Sequence, residues 1–225
     1  MAGICSLPLK GLDGVILDSE KLYARFWAAA CESFGYSMTY QQALGMRSLN
    51  AQAGQAYLSS LFGPDISYPQ VRAKRIELMD AYVEENGVEA KPGILPLLDY
   101  LTSRRIPYAI TTASPLDRIQ NHLGRLGLYQ RFPHICTAHA VAQGKPAPDI
   151  YLRAAQLLGV APEECMALED SPNGIRSGVV AGMYTVMIPD MIPATEELLA
   201  IASNKVDTLL DIMPLLDRLG APEKR

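Results

Sequence analysis

The spacing of apolar residues changes character once along the chain. Between residues 18 and 87, Leu22, Phe26, Ala29 and Ala30 recur at helical spacing, as do Val71, Ile76, Met79 and Val83, the signature of helices with one buried face. Gly63-Pro64-Asp65 breaks this block in the middle, and no segment within it reads as a strand. From residue 91 onward, short apolar runs alternate with helical stretches. Ile94–Leu101 reads as a helix entered through Pro92-Gly93, and Tyr108–Thr111 as a short buried strand. Pro115–Leu126 reads as a helix with Ser114 as its N-cap and Pro115 at its first position. Ile135-Cys136 is a weak strand, Asp149–Leu158 a helix stopped by Gly159, and Cys165–Leu168 a strand. Asn173–Ala181 is a helix stopped by Gly182, and Thr185–Ile188 a strand; helices near Ala194–Ala202 and Thr208–Leu219 complete the pattern. Strand-helix alternation predicts a parallel α/β sheet. The expected fold is a three-layer, Rossmann-like α/β core, residues 1–17 plus 88–225, with an all-helical cap, residues 18–87, inserted after the first strand.

Composition narrows the choice of function. With 225 residues, 49% hydrophobic and 20% charged, the chain has the make-up of an ordinary soluble protein. A net charge of -4 argues against a nucleic-acid binder, whose footprint would be basic. No apolar run approaches the roughly 18 residues that a membrane span needs. The first ten residues make a poor signal peptide because no basic region precedes their short apolar part. Cys5, Cys31, Cys136 and Cys165 are scattered without CxxC spacing, so four thiols in a reducing, cytoplasmic setting are expected. A monomer without a membrane or nucleic-acid partner completes that expectation.

Every residue of chemical interest follows a predicted strand, and ligands collect at the carboxyl ends of strands in such sheets. Asp13-Gly14 is a candidate acid on a tight turn, although Asp-Gly is also a common turn pair. Thr112 closes the strand at Tyr108–Thr111 and precedes Ser114. Lys145 lies in Gly144-Lys145-Pro146-Ala147-Pro148-Asp149, where prolines stiffen the loop. Glu169 and Asp170 end an apolar strand, and adjacent carboxylates repel unless a cation relieves them. Hard oxygen donors with room for waters suit Mg²⁺; the structural alternative is an acidic pair facing the helix that starts near Asn173.

Leu12-Asp13-Gly14-Val15-Ile16-Leu17-Asp18-Ser19-Glu20, Gly144-Lys145-Pro146 and Glu169-Asp170-Ser171-Pro172-Asn173-Gly174 together resemble the phosphotransferases of the haloacid dehalogenase superfamily. The resemblance covers residues 12 to 219 and is closest to the β-phosphoglucomutase-like subfamily, which carries a helical lid after the first strand. It implies Mg²⁺-dependent hydrolysis of a small phosphorylated metabolite, with a sugar phosphate as the expected substrate. In that reading Asp13 is the general acid/base and lends its carbonyl to the metal. Thr112 and Lys145 hold the phosphoryl group, and Glu169 and Asp170 bind magnesium. Arg47 in the lid and Ser114 bind the rest of the substrate, and Lys74 and Arg75 are further lid cations that could select it.

The resemblance fails at its first strand. The family places its nucleophilic aspartate two residues before the position of Asp13, and here that residue is Gly11. Pro8 cannot donate to a sheet ladder, and Lys10 stands where an apolar residue belongs. The segment Ser6–Gly11 is therefore a poor central strand. An altered N-terminal sequence on a competent scaffold and a non-catalytic descendant are both open, and the intact Lys145 and Glu169-Asp170 favour the first. Hydrolysis by this chain should be crippled. Two alternatives to the phosphatase are a β-phosphoglucomutase-type mutase and a non-catalytic phospho-ligand-binding protein. The mutase is disfavoured because His122, His134 and His139, the three histidines, lie outside the lid. Dehalogenase chemistry would not need the paired carboxylates.

Overall fold

The computed structural model describes residues 6–10, 14–46, 49, 51–189 and 194–220. The chain divides into two compact units, Met1–Leu17 with Glu89–Arg225, and Asp18–Val88.

The first unit is built on a parallel sheet. Its strands among the described residues are β1 (Leu7–Lys10), β2 (Tyr108–Thr112), β3 (Ile135–Thr137), β4 (Met166–Glu169), β5 (Tyr184–Met187) and β6 (Asn204–Lys205). They lie in the order β3-β2-β1-β4-β5-β6, and every neighbouring pair is parallel. The connecting helices are α5 (Ile94–Arg104), α6 (Leu116–Arg125), α7 (Asp149–Leu158), α8 (Pro172–Val180) and α9 (Glu196–Ile201), and α10 (Ile212–Arg218) follows β6. Every residue of β2 and β4 is buried, as expected of strands covered by helices on both faces. One part of that core joins Ile150, Tyr151 and Ala155 of α7 to Cys136 of β3 and Ala167 of β4. Helix α8 comes close to the sheet because Gly178 has no side chain: a Cβ there would lie 2.6 Å from Thr185 Oγ1.

The N-terminal segment corrects the expectation that Pro8 and Lys10 would spoil a central strand. β1 sits mid-sheet and pairs with β2 along all four residues, Leu7↔Tyr108 through Lys10↔Thr111. Alternate N–H groups of a parallel strand point to opposite sides. Leu7 N–H donates to Pro107 O at 2.9 Å on the β2 side, so the donor that proline lacks falls on the β4 side. There the pairing is sparse, with Leu9↔Leu168 and an isolated bridge Ser6↔Cys165. The sheet thus accommodates Pro8 by thinning one ladder.

Other differences are smaller. Pro115, not Ser114, is the N-cap of α6, and its side chain makes no capping bond. Strand β6 was not anticipated, and its two residues are too few to carry a period. The helix expected over Thr208–Leu219 is a 3₁₀ turn at Leu209–Asp211 followed by α10.

The second unit is helical, with α1 (Glu20–Glu32), α2 (Tyr40–Leu44), α3 (Ala51–Phe62) and α4 (Tyr68–Asn86). Trp27 stacks on Tyr68 with ring centroids 5.6 Å apart, and Tyr68 in turn covers Gly54, where a Cβ would lie 2.3 Å from its ring. Arg75 is buried, with its guanidinium 4.7 Å from the Tyr23 ring centroid and 5.7 Å from that of Trp27. It is a packing residue of this unit, which corrects its ranking as a substrate-selecting cation. The insertion is entered and left side by side. Leu17 bridges Ala90 in antiparallel fashion, and Lys91 N–H donates to Ile16 O at 2.8 Å. Among the described residues, no helix is long and apolar enough to cross a membrane.

Candidate active site

The order β2-β1-β4 places a topological switch between β1 and β4, since the chain leaves β1 toward one edge of the sheet and reaches the other edge only through β4. A crevice forms at such a point beyond the carboxyl ends of the strands. Thr112, Glu169 and Asp170 stand at those ends. Asp13, Gly11 and Arg47 lie outside the described residues.

Glu169, the last residue of β4, is fully buried. Its Oε1 accepts a hydrogen bond from Lys145 Nζ at 2.7 Å and another from the Tyr151 hydroxyl. Ser171 Oγ approaches Oε2 at 3.4 Å. Charge on a buried carboxylate is tolerable only with such partners. Lys145 keeps 16% of its side chain exposed, so the pair joins a fully buried anion to a side chain that solvent still reaches in part. The loop that carries it is closed by Ala147 N–H to Gly144 O at 3.0 Å and tied to α8 by Ser177 Oγ to Ala147 O at 2.6 Å.

Asp170 is 4% exposed. It packs against the backbone of Gly14, whose φ is +90°, and a Cβ there would lie 2.0 Å from Asp170 Oδ2. Glycine at 14 is needed both for that φ and for that approach. Next, Ser171 caps α8, its Oγ accepting from Gly174 N–H at 3.2 Å. Pro172 opens the helix.

At the end of β2, Thr112 is 3% exposed and its Oγ1 accepts from Ser114 N–H at 3.0 Å. A hydroxyl that accepts one bond still has its hydrogen to donate. Ser114 is half-buried on the loop into α6.

Sequence reasoning missed Tyr151. It lies six residues after Lys145 in the first turn of α7 and is fully buried. Its hydroxyl meets Glu169 of β4 and hydrogen-bonds with Thr111 of β2, so it reaches across β1. Burial, with the charge and hydrogen bond of Glu169, pushes this hydroxyl well above the ordinary tyrosine range, against the opposing hydrogen bond from Thr111. It therefore remains a donor. The available signal was a polar aromatic on the buried side of a helix that follows a charged loop.

The donors present fit a magnesium ion. Asp170 supplies a hard carboxylate oxygen beside a backbone turn, and Mg²⁺ commonly takes one or two carboxylates and fills its other positions with water and substrate oxygens. Among the described residues no group of three or more His, Cys, Asp or Glu gathers around one point.

Comparison with known proteins identifies the class. A family model described as haloacid dehalogenase-like hydrolase matches residues 11–182, and the chain belongs to that family. Hexitol phosphatase A of Escherichia coli is 32% identical over 186 residues, covering 82% of this chain and 83% of that protein. A hydrolase of the same family from Deinococcus radiodurans, solved with bound phosphate and sodium, superposes with a TM-score of 0.82 at 25% identity, covering 98% of each chain. A candidate β-phosphoglucomutase from Thermotoga maritima gives 0.77 at 26% identity, covering 95% of this chain and 99% of that one. The α/β core with a helical cap is the fold of this family, as the sequence predicts.

Proposed function

We propose that this scaffold is a magnesium-dependent phosphatase for a small phosphate monoester, of the sugar or sugar-alcohol phosphate class, disabled in this chain at the nucleophile position. The observation that carries the reading is the Lys145–Glu169 pair at 2.7 Å, one residue before Asp170: an ammonium held at its tip by a fully buried carboxylate, next to a second carboxylate of the metal-binding type. The similarity to hexitol phosphatase A supports the substrate class.

Phosphoryl transfer asks a protein mainly for positioning and charge neutralisation. Lys145 would neutralise a phosphoryl oxygen, and the Thr112 hydroxyl would donate to another. Asp13 would protonate the leaving oxygen and later take a proton from water. Arg47 and Ser114 would bind the remainder of the substrate. Asp170 would hold magnesium with an oxygen of Asp13. Glu169, whose Oε1 is already engaged by Lys145 and Tyr151, would be the weaker metal ligand. When bound, the ion would neutralise the charge gathering on the phosphoryl oxygens.

The family's covalent step needs a carboxylate at position 11, and glycine offers none. Only direct attack by water remains, and loss of a covalent nucleophile costs several orders of magnitude in other hydrolases. The test is Mg²⁺-dependent phosphate release from a panel of sugar and sugar-alcohol phosphates, comparing the parent with Gly11→Asp. Turnover by the variant alone supports the reading. If neither turns over while both bind phosphate, the chain is a phospho-ligand-binding protein, the second reading that Gly11 favours.

A further inference from the structure

We propose that Tyr151 is a positioning residue, whose hydroxyl commits the Glu169 carboxylate to Lys145 and so aims the Lys145 ammonium at the phosphate. The inference rests on the phosphatase-type reading of the site and adds a residue to it.

Tyr151 touches both members of the pair. Its hydroxyl donates to Glu169 Oε1, the same oxygen that Lys145 Nζ engages. Lys145 Nζ also lies 3.4 Å from the Tyr151 hydroxyl and 4.7 Å from its ring centroid. The ammonium therefore rests on an aromatic face while bonding an anion at the ring's polar tip. A lysine stem has four rotatable bonds and no preferred direction. Here its direction is set by the anion and the ring together.

Glu169 is fixed on its other sides as well. Its carboxylate lies against Gly174, where a Cβ would fall 1.8 Å from Oε2, and Ser171 Oγ is 3.4 Å from that oxygen. These contacts hold the carboxylate at Oε2. The Tyr151 hydroxyl, itself hydrogen-bonded with Thr111 of β2, holds it at Oε1. The same hydroxyl shares Oε1 with Lys145, so the carboxylate does not spend its whole charge on the ammonium. Both effects leave the Lys145 ammonium held in one place with positive charge to offer a phosphoryl oxygen. If Tyr151 were only a core aromatic, the ring would suffice and the hydroxyl would be dispensable.

The experiment compares the full chain with Tyr151→Phe, which keeps the ring, by separate calorimetric titrations with inorganic phosphate in magnesium-free buffer and with Mg²⁺. Because the hydroxyl's hydrogen bonds to Glu169 and Thr111 are lost but the ring is kept, Tm should fall by no more than about 10 °C. Phosphate affinity should weaken about tenfold, the scale of one bond to a charged group, while Mg²⁺ affinity stays within about twofold because Asp170, the stronger of the two metal ligands in this reading, is untouched. Tyr151→Leu, which removes the ring too, should weaken phosphate binding further. Unchanged phosphate affinity in Tyr151→Phe overturns the proposal and makes Tyr151 a packing residue. Equal loss of phosphate and Mg²⁺ affinity also overturns it, because the hydroxyl would then act through a metal-binding Glu169. A parent that binds neither phosphate nor Mg²⁺ defeats the phosphatase reading itself, and this inference with it.

Discussion

Glu169 lies flat against the backbone of Gly174, so that a Cβ at 174 would fall 1.8 Å from Oε2 and 2.0 Å from Cδ of the carboxylate. The first turn of α8 is therefore shaped by a charged group that belongs to the adjacent strand. Gly174→Ala should force Glu169 from its place and destabilise the fold by about 1–3 kcal/mol, the range for overpacking a filled site. Gly124, inside α6, has nothing within 4 Å of a built Cβ. There alanine should stabilise by about 0.5–1 kcal/mol through helix propensity. Urea unfolding of the two variants beside the parent checks the contrast, and equal effects would refute it.

Tyr100 on α5 donates to Asp217 Oδ1 on α10 at 2.6 Å, and Arg104 Nη2 reaches the same oxygen at 2.6 Å. Burial first, then the hydrogen bond to Asp217, pushes the Tyr100 hydroxyl up to about 12 from 10.0. A group whose folded pKa is raised stabilises fully below its unfolded pKa and loses that contribution as pH rises through the folded one. This link between α5 and α10 should therefore hold up to about pH 10 and fade toward pH 12. Asp217→Asn should lower the Tyr100 pKa without returning it fully to 10.0, because burial, the larger cause, remains. An ultraviolet difference titration of parent and variant reads both values, and no shift between them would sink the assignment.

Cys31 is buried in the helical unit, its Sγ 3.9 Å from Met38 Sδ, and burial pushes its thiol up to about 11. The thiolate is the reactive form. Iodoacetamide at neutral pH should leave Cys31 unmodified in the native protein and alkylate it readily after denaturation. Peptide mass analysis of the two samples decides, and rapid native labelling would mean that the helical unit opens far more often than its packing suggests.

Much of this fold was legible in the sequence. The strands at Tyr108, Ile135, Cys165 and Thr185 announced themselves through short apolar runs flanked by turns, because strands buried on both faces have few polar positions to blur them. β1 was harder to see. Its apolar run is broken by Pro8 and Lys10, and only the neighbours on either side reveal that the sheet needs a strand there. β6 was illegible at two residues. In the candidate site, Lys145, Glu169 and Asp170 were selected because their strings resemble the family's motifs, and the structure brings Lys145 onto Glu169. Tyr151 could not be selected, since an aromatic in a helix's first turn looks like core from the sequence. Only its reach across β1, from Thr111 to Glu169, exposes what its hydroxyl touches. Arg75 erred the other way. It looked like an exposed cation and is stacked among aromatic rings.

Ile16-Leu17 and Ala90-Lys91 run side by side where the helical insertion leaves the sheet unit and returns to it. An excursion of some seventy residues thus begins and ends at one doorway. To the sheet, the whole insertion is topologically equivalent to a tight turn between two paired strands. Such a cassette can be exchanged for another of different length or make-up without a strand being rethreaded. A lineage could in this way replace the insertion while the carboxyl end of the sheet stays as it is.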